Sequence, residues 1–280
     1  MKVKIDRKAG LGIILGCVLA ILTAVIWVAG ASTNCVRWPI TFGPYNTPYT
    51  EVNIDGEIYP LEINLGTKFA LALNRKILTQ ISKKPSSMIT SRDFAGQQNE
   101  FQSYYVSKVK IGDLTYKNVL VREISEADQF PDDSGVIGRP LLEAENLMLD
   151  FPNSTILVTK DNAHLQARGY FLEDMVNVPF TTGRLGIILQ VETDWGTTKL
   201  LLTTGASHSH LKAFFTGNSK QELQSARFVI GGKDFGSMIF ATRNFSNELL
   251  EIDGILGMDF LKAHTVYIDN DNKVAYFGGF

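Results

Sequence analysis

Apolar and polar positions alternate with a period of two along most of the chain beyond residue 49, a pattern typical of β-strands. The clearest example is Val52-Asn53-Ile54 and Glu57-Ile58-Tyr59, which flank the dipeptide Asp55-Gly56, a favoured hairpin turn. The pattern therefore predicts a mainly β fold. Helical spacing is confined to short segments, 70–82, 141–144 and 212–215.

The predicted elements occur twice in the same order. Segments 61–67 and 200–207 are apolar strands that run into glycine turns, and an apolar-apolar-Gly segment follows each of them. A gapless alignment of 134–158 with 253–277 keeps the apolar or polar character of the intervening positions. This agreement favours an internal duplication, and the alternative is a pair of similar hairpins in an unrelated all-β domain.

The duplicated pattern resembles that of the pepsin/retropepsin family of aspartic proteases, whose lobes each carry an apolar run, Asp-Thr/Ser-Gly and a later apolar-apolar-Gly. The corresponding segments here are Asn64-Leu65-Gly66 and Thr203-Thr204-Gly205, with the later glycines at Gly138 and Gly257. The resemblance covers 49–280. It implies a two-lobed fold with one retropepsin-type lobe in each half, and it aligns Asn64 and Thr203 with the two catalytic aspartates.

The absence of both aspartates decides what the resemblance implies about activity. Catalysis in the family needs two adjacent carboxylates that share a proton and exchange it at an accessible pH. An Asn amide and a Thr hydroxyl cannot do this, so Asn64 and Thr203 are predicted to form a degenerate dyad without a catalytic residue. Gly66, Thr204, Gly205 and Ser207 are predicted to lie in the floor of a binding cleft, and Gly138 and Gly257 to have structural roles. Because Leu65 cannot make the hydrogen bond of a Thr or Ser, the first lobe's part of the floor is expected to be rearranged.

In the family, a hairpin between the aspartate turn and the apolar-apolar-Gly segment closes over the substrate. The resemblance implies that 97–108 supplies such a hairpin in the first lobe. The second lobe has only 217–227 for it. A cover over the cleft is therefore expected from one side.

Other polar clusters indicate no competing chemistry. His208 and His210 flank Ser209 but lack an evident third ligand, so neither a metal nor another cofactor is predicted. The remaining aspartates near the motifs are interpreted as turn or structural residues: Asp132, Asp133, Asp150, Asp253 and Asp259.

The first 31 residues are predicted to direct the chain to a membrane. Residues 1–8 are basic, and 10–30 contain no charge over a length sufficient to cross a hydrocarbon core about 30 Å thick. A cleaved signal peptide is the alternative, because Ala29-Gly30-Ala31 fits a cleavage site. In either case the folded part is expected to be exported, periplasmic or extracellular, and an uncleaved anchor leaves the N-terminus in the cytoplasm.

The charge and the cysteine content limit the binding partners and the disulfide bonds that can be expected. The chain has 280 residues and a net charge of −2, and it has no basic block beyond its N-terminus, so nucleic acid is not an expected partner. Only Cys17 and Cys35 are present, and Cys17 lies in the apolar segment, so the folded part is expected to lack disulfides.

These observations predict a membrane-tethered, aspartic-protease-like pseudoenzyme that binds a peptide or protein segment between its lobes without cleaving it. An active aspartic-type peptidase with a non-standard dyad is one alternative. A structural envelope protein whose lobes form an oligomer interface is another, so a homo-oligomer also stays open. The predicted boundaries are 1–8 basic tail, 9–31 anchor or signal, 32–48 linker, 49–160 first lobe, 161–178 inter-lobe linker and 179–280 second lobe.

Overall fold

The structure is a computed structural model that describes residues 35–92, 98–124, 134–184, 186–216, 222–245 and 250–279. Within these ranges no helix has both the length and the apolar character needed to cross a bilayer. The predicted basic tail, 1–8, and the predicted anchor or signal, 9–31, lie outside the described residues.

Strands dominate the described residues, and the helices are short. The strands are β1 Val36–Pro39, β2 Thr41–Phe42, β3 Pro48–Ile54, β4 Glu57–Asn64, β5 Leu71–Leu73, β6 Lys84–Arg92, β7 Gln98–Ile111, β8 Leu114–Glu123, β9 Gly135–Gly138, β10 Leu147–Asp150, β11 Thr155–Val158, β12 Val176–Thr182, β13 Ile187–Thr193, β14 Gly196–Leu202, β15 His210–Lys212, β16 Glu222–Ser225, β17 Phe228–Ile230, β18 Lys233–Asp234, β19 Met238–Arg243, β20 Gly254–Leu256, β21 Thr265–Asp269 and β22 Val274–Gly278. The α-helices are α1 Arg75–Gln80, α2 Arg139–Leu142, α3 Asn162–Gln166 and α4 Met258–Leu261, and 3-10 turns span Leu172–Asp174 and Ala213–Thr216.

The first lobe is built on a sheet with the strand order β2-β3-β4-β9-β5-β8-β7-β6, in which β3 also pairs with β7. The β3–β4 hairpin turns at Asp55 and Gly56, whose φ angles are 54° and 101°. Positive φ at both positions is what the predicted Asp-Gly turn requires. Strands β6 and β7 form a long antiparallel hairpin, and residues 93–97 between them lie outside the described part of the chain.

The second lobe repeats the central arrangement of the first. In the first lobe β4 runs parallel to β9, with Ile63 opposite Ile137. In the second lobe β14 runs parallel to β20, with Leu202 opposite Leu256. In each lobe a short helix follows, α2 after β9 and α4 after β20. The alignment of 134–158 with 253–277 therefore joins residues that occupy equivalent places in the two sheets.

A sheet shared by both halves joins the lobes. Its order is β1-β11-β10-β21-β22-β12, and β10 pairs antiparallel with β21 so that Leu149 lies opposite Val266. Strand β12 then continues into the second lobe, pairing first with β22 and then with β13. The sheet carries part of the hydrophobic core on each side of the lobe boundary.

Two segments expected to be linkers contain regular structure. Within 32–48, β1 adds to the edge of the shared sheet beside β11, and Trp38 is fully buried. Its neighbours Val36 and Ile40 are buried as well, an alternation that the surrounding Pro, Gly and Thr residues obscure in the sequence. Within 161–178 the chain forms α3, a 3-10 turn and the first residues of β12. Residues 35–48 and 161–178 are therefore part of the folded unit.

Candidate functional site

Equivalent strands bring Asn64 and Thr203 to the same place between the lobes. Asn64 is the last residue of β4 and lies opposite Gly138 in the parallel pair with β9. Thr203 directly follows β14, and its backbone N–H donates to the Leu256 carbonyl at 3.1 Å. The turns that follow, 64–67 and 203–206, are referred to below as the floor.

The two side chains are in direct contact. The Thr203 hydroxyl donates to Asn64 Oδ1 over 3.2 Å. Each side chain also accepts a hydrogen bond within its own turn, Asn64 Oδ1 from the Gly66 N–H at 2.9 Å and Thr203 Oγ1 from the Gly205 N–H at 3.2 Å. The structure thus joins the two predicted dyad positions through one hydrogen bond and gives them matching backbone partners.

Gly66 and Gly205 allow the two turns to meet. A Cβ atom on Gly205 would lie 1.9 Å from Asn64 Nδ2, and one on Gly66 would lie 2.6 Å from Thr203 Oγ1. Both separations are far below contact distance, so each glycine leaves the space that the side chain of the opposite lobe occupies. Glycine is therefore needed at both positions because a side chain of the opposite lobe lies against the turn.

Thr204 fastens the second turn to the first lobe. Its buried hydroxyl donates to the Ile63 carbonyl at 2.5 Å and accepts from the Leu65 N–H at 3.2 Å. Leu65 occupies the equivalent place in the first lobe, and it is buried with 1% of its surface exposed. A leucine side chain cannot make hydrogen bonds of this kind. The second turn therefore contacts the first through hydrogen bonds of Thr204, whereas the first turn contributes the packing of Leu65.

Gly138 and Gly257 lie in close contact with main-chain atoms in and next to the floor. A Cβ on Gly138 would lie 1.8 Å from the Phe69 carbonyl oxygen, and one on Gly257 would lie 2.7 Å from the Ala206 carbonyl oxygen. The residue after each glycine donates its N–H to the floor, Arg139 to Thr67 and Met258 to Ala206, both at 2.8 Å.

A carboxylate that the sequence analysis did not single out lies beside the dyad positions. Asn64 Nδ2 donates to Glu62 Oε1 at 3.0 Å, and Glu62 is 7% exposed. Residues two apart on a strand face the same way, so the position of Glu62 on β4 was a usable signal. Leu201 is the equivalent residue in the second lobe.

The other candidate residues lie away from the Asn64–Thr203 contact. Ser207 is half-buried, and its hydroxyl contacts His208 Nδ1 at 3.0 Å. Asp259 accepts from the Ser209 N–H and hydroxyl at 2.8 and 2.7 Å, which fixes the start of α4. Among the described residues no group of three metal-ligating side chains converges. Asp150 and Asp253 make turn and strand contacts, whereas Asp132 and Asp133 lie outside the described residues.

Two concave surfaces lined by described residues lie elsewhere. One of about 640 Å³ is lined by β12 to β14, and one of about 460 Å³ is lined by β2 to β4. Neither is lined by Asn64 or Thr203.

Fold and site together define a class of structure. Two lobes with matching central strands, each placing a polar residue and a glycine turn at a shared floor, are the arrangement expected of a pepsin-like fold. No family model matches the sequence, and no curated protein has a similar sequence. Solved structures are similar in fold.

Three of these structures are similar over most of their length. An aspartic proteinase from Irpex lacteus is 13% identical, with a TM-score of 0.60 over 87% of this chain and 97% of that chain. Conglutin gamma, a basic 7S globulin from lupine seeds, and basic 7S globulin from soybean are each 11% identical. For each of these two the TM-score is 0.58 over 88% of this chain and 95% of the other. The chain therefore has an aspartic-protease-like, mainly β fold.

Proposed function

We propose that this protein is an aspartic-protease-like pseudoenzyme that holds an extended peptide or protein segment between its lobes without cleaving it. The observation that carries the proposal is the direct Asn64–Thr203 hydrogen bond in a floor whose glycine contacts and Thr204 contacts are intact. An amide and a hydroxyl supply no acid–base pair, so the floor can position a segment but cannot activate water by the family's mechanism.

An extended ligand suits the site because the surrounding elements are strands. Segments that add to or lie across sheets gain affinity from main-chain hydrogen bonds and selectivity from alternate side chains. The β6–β7 hairpin belongs to the first lobe and provides strand edges of this kind. The proposal places the ligand between this hairpin and the floor.

The proposal also includes a membrane tether and an exported domain. It rests on the basic residues 1–8 and on the uncharged stretch 10–30, which is long enough for a single span. Protease accessibility of the full chain in spheroplasts or sealed vesicles tests the orientation. Digestion of the domain from the cytoplasmic side would contradict it.

Photo-crosslinking tests the binding site. Full-length protein in mild detergent is mixed with extended peptides that carry a benzophenone side chain, irradiated and mapped by mass spectrometry. The proposal expects crosslinks to residues near both turns of the floor, such as Thr67 and Ala206, and no peptide cleavage. Crosslinks confined to outer surfaces, or an absence of binding, would refute it.

A second candidate is a peptidase that relies on Glu62. The specific observation is the buried Glu62 carboxylate, which accepts a hydrogen bond from Asn64. Acid-dependent cleavage by the wild type that disappears in Glu62→Gln would favour this candidate. Glutamine keeps the size of the side chain and one acceptor oxygen for Asn64, while the ionisable carboxyl group is replaced by an amide.

A further inference from the structure

Cationic side chains converge beside the first-lobe turn of the floor. Lys68 follows Thr67 directly, and its ammonium lies 5.5 Å from the centre of the Phe69 ring. The Arg122 guanidinium lies 4.6 Å from the centre of the same ring and 4.3 Å from that of Phe101. Phe69 and Phe101 meet edge to face, with ring centres 6.4 Å apart. This aromatic pair connects the segment after the first-lobe turn with β7, and its rings make cation–π contacts with both Lys68 and Arg122.

A further cation comes from the second lobe. The guanidinium of Arg139 donates to the main-chain carbonyls of Gly183 and Arg184 at 3.2 and 3.3 Å, which holds that segment against the first lobe. A Cβ on Gly186, two residues further on, would lie 3.3 Å from the Leu65 carbonyl oxygen. The main chain of Arg184 is therefore held next to the first-lobe turn.

The carboxylates nearest to this cluster in the described part of the chain make other contacts. Glu62 contacts Asn64, Glu143 lies 3.5 Å from Arg139 Nε, and Glu251 packs against Gly183. Within the described part of the chain no carboxylate lies within 4 Å of the Lys68 ammonium or the Arg184 guanidinium.

Burial, together with the neighbouring Arg184 and Arg122, lowers the pKa of Lys68 below its usual value. Mutual repulsion among cations is a cost in the free protein, and an anionic group placed between them would relieve it.

We infer that the segment bound between the lobes is acidic, with one carboxylate side chain placed against Lys68 and Arg184 beside the floor. This inference rests on the proposed function and names the chemistry of its ligand. The aromatic support of Arg122 and Lys68 pre-organises the cluster, so little side-chain ordering accompanies binding. A strand-like ligand presents alternate side chains to one face, so acidic residues at every second position fit the site best.

Binding of matched peptides to the full-length protein tests the inference. Three fluorescein-labelled peptides of equal length alternate Val with Asp, Asn or Lys, and affinities are measured by anisotropy at low and high NaCl. The Asp peptide should bind about tenfold more tightly than its isosteric Asn counterpart, and the Lys peptide most weakly. The advantage of the Asp peptide should shrink at high salt.

Variants assign that advantage to the cluster. The double variant Lys68→Gln/Arg184→Gln should abolish the difference in affinity between the Asp and Asn peptides. Lys76→Gln, a change of an exposed cation on α1, is the matched control and should keep the advantage. Equal binding of all three peptides to the wild type would overturn the acidic preference and leave the proposed function standing. An absence of binding by any peptide would overturn both.

Discussion

Gly205 lies against the Asn64 side chain, which leaves no room for a Cβ atom at this position. We expect Gly205→Ala to lower the free energy of unfolding by about 2 kcal/mol, because the new methyl group must displace Asn64 or the turn. Urea denaturation measures this loss. The double variant Gly205→Ala/Asn64→Ala should lose less than the sum of the two single losses, because the clashing amide is absent. Additive losses would show that the contact is not the cause.

Tyr267 makes the stability of the shared sheet sensitive to alkaline pH. Its side chain is almost completely buried, and desolvation, followed by the nearby Asp269, raises its pKa from 10.0 to about 12. The unfolded chain therefore loses this proton before the folded chain does, and stability should fall as the pH rises from 10 towards 12. At about 1.4 kcal/mol per pKa unit, the expected contribution is about 3 kcal/mol.

Unfolding by urea at several alkaline pH values measures this effect. Tyr267→Phe should flatten part of the fall, because the phenylalanine ring keeps the packing and lacks the ionisable hydroxyl. Tyr105, whose ring is 44% exposed, provides the control, and Tyr105→Phe should leave the slope unchanged. Identical slopes in wild type and Tyr267→Phe would refute the assignment.

The two turns of the floor make different kinds of contact with each other. Thr204 supplies the polar contacts from the second turn, whereas Leu65 supplies only packing from the first. Thr204→Val should therefore lower the free energy of unfolding by about 2–3 kcal/mol, since it removes two buried hydrogen bonds and leaves their backbone partners unsatisfied. Thermal and urea unfolding measure the loss. Thr79→Val, which removes an exposed hydroxyl on α1, should cost much less, and equal losses would contradict this account.

The elements that the sequence predicted best are those with local signals. The Asp55-Gly56 hairpin follows from turn chemistry, and the duplicated β9–α2 and β20–α4 units follow from repeated glycines and apolar positions. Helix α1 was predicted too long. Leu71–Leu73 pairs with β8 and β9 as a strand, and the helix begins only after Asn74, whose side chain caps it by accepting from the Ile77 N–H at 2.9 Å.

The elements and site residues that escaped prediction depend on distant partners. Strand β1 is ordered by pairing with β11, far along the chain, and no local pattern reveals that partner. Glu62 is an exception, because its partner Asn64 lies two residues away on the same strand, where strand periodicity places both side chains on one face. The contact between Asn64 and Thr203 was an expectation from the family resemblance, because sequence alone does not bring the two turns together.

At the scale of the whole molecule, the shared sheet couples the lobes. Strand β10 of the first half pairs with β21 of the second, and β1, β11, β12 and β22 extend the same sheet. Neither lobe can unfold without exposing an edge and part of the core of the other, so we expect a single cooperative transition in calorimetry of the full-length protein. Calorimetric and van't Hoff enthalpies should agree. Two resolved transitions would show independent lobes.

A restored dyad would show whether the floor keeps the geometry of a peptidase. Asn64→Asp alone would place a new carboxylate about 3 Å from Glu62, and repulsion between them would disturb the pair. The informative variant is therefore Glu62→Leu/Asn64→Asp/Thr203→Asp, which copies Leu201 into the first lobe. Cleavage by this variant would identify Asn64 and Thr203 as the residues that silence the site.

The central claim is that the wild-type protein binds a peptide segment at the floor without cleaving it. Incubating the full-length protein with a diverse peptide library from acid to neutral pH tests this claim most directly. Mass spectrometry then records any new peptide ends. The account predicts no cleavage by the wild type at any pH. Cleavage that persists through purification and is lost in Glu62→Gln or Asn64→Ala would contradict it and identify an active peptidase.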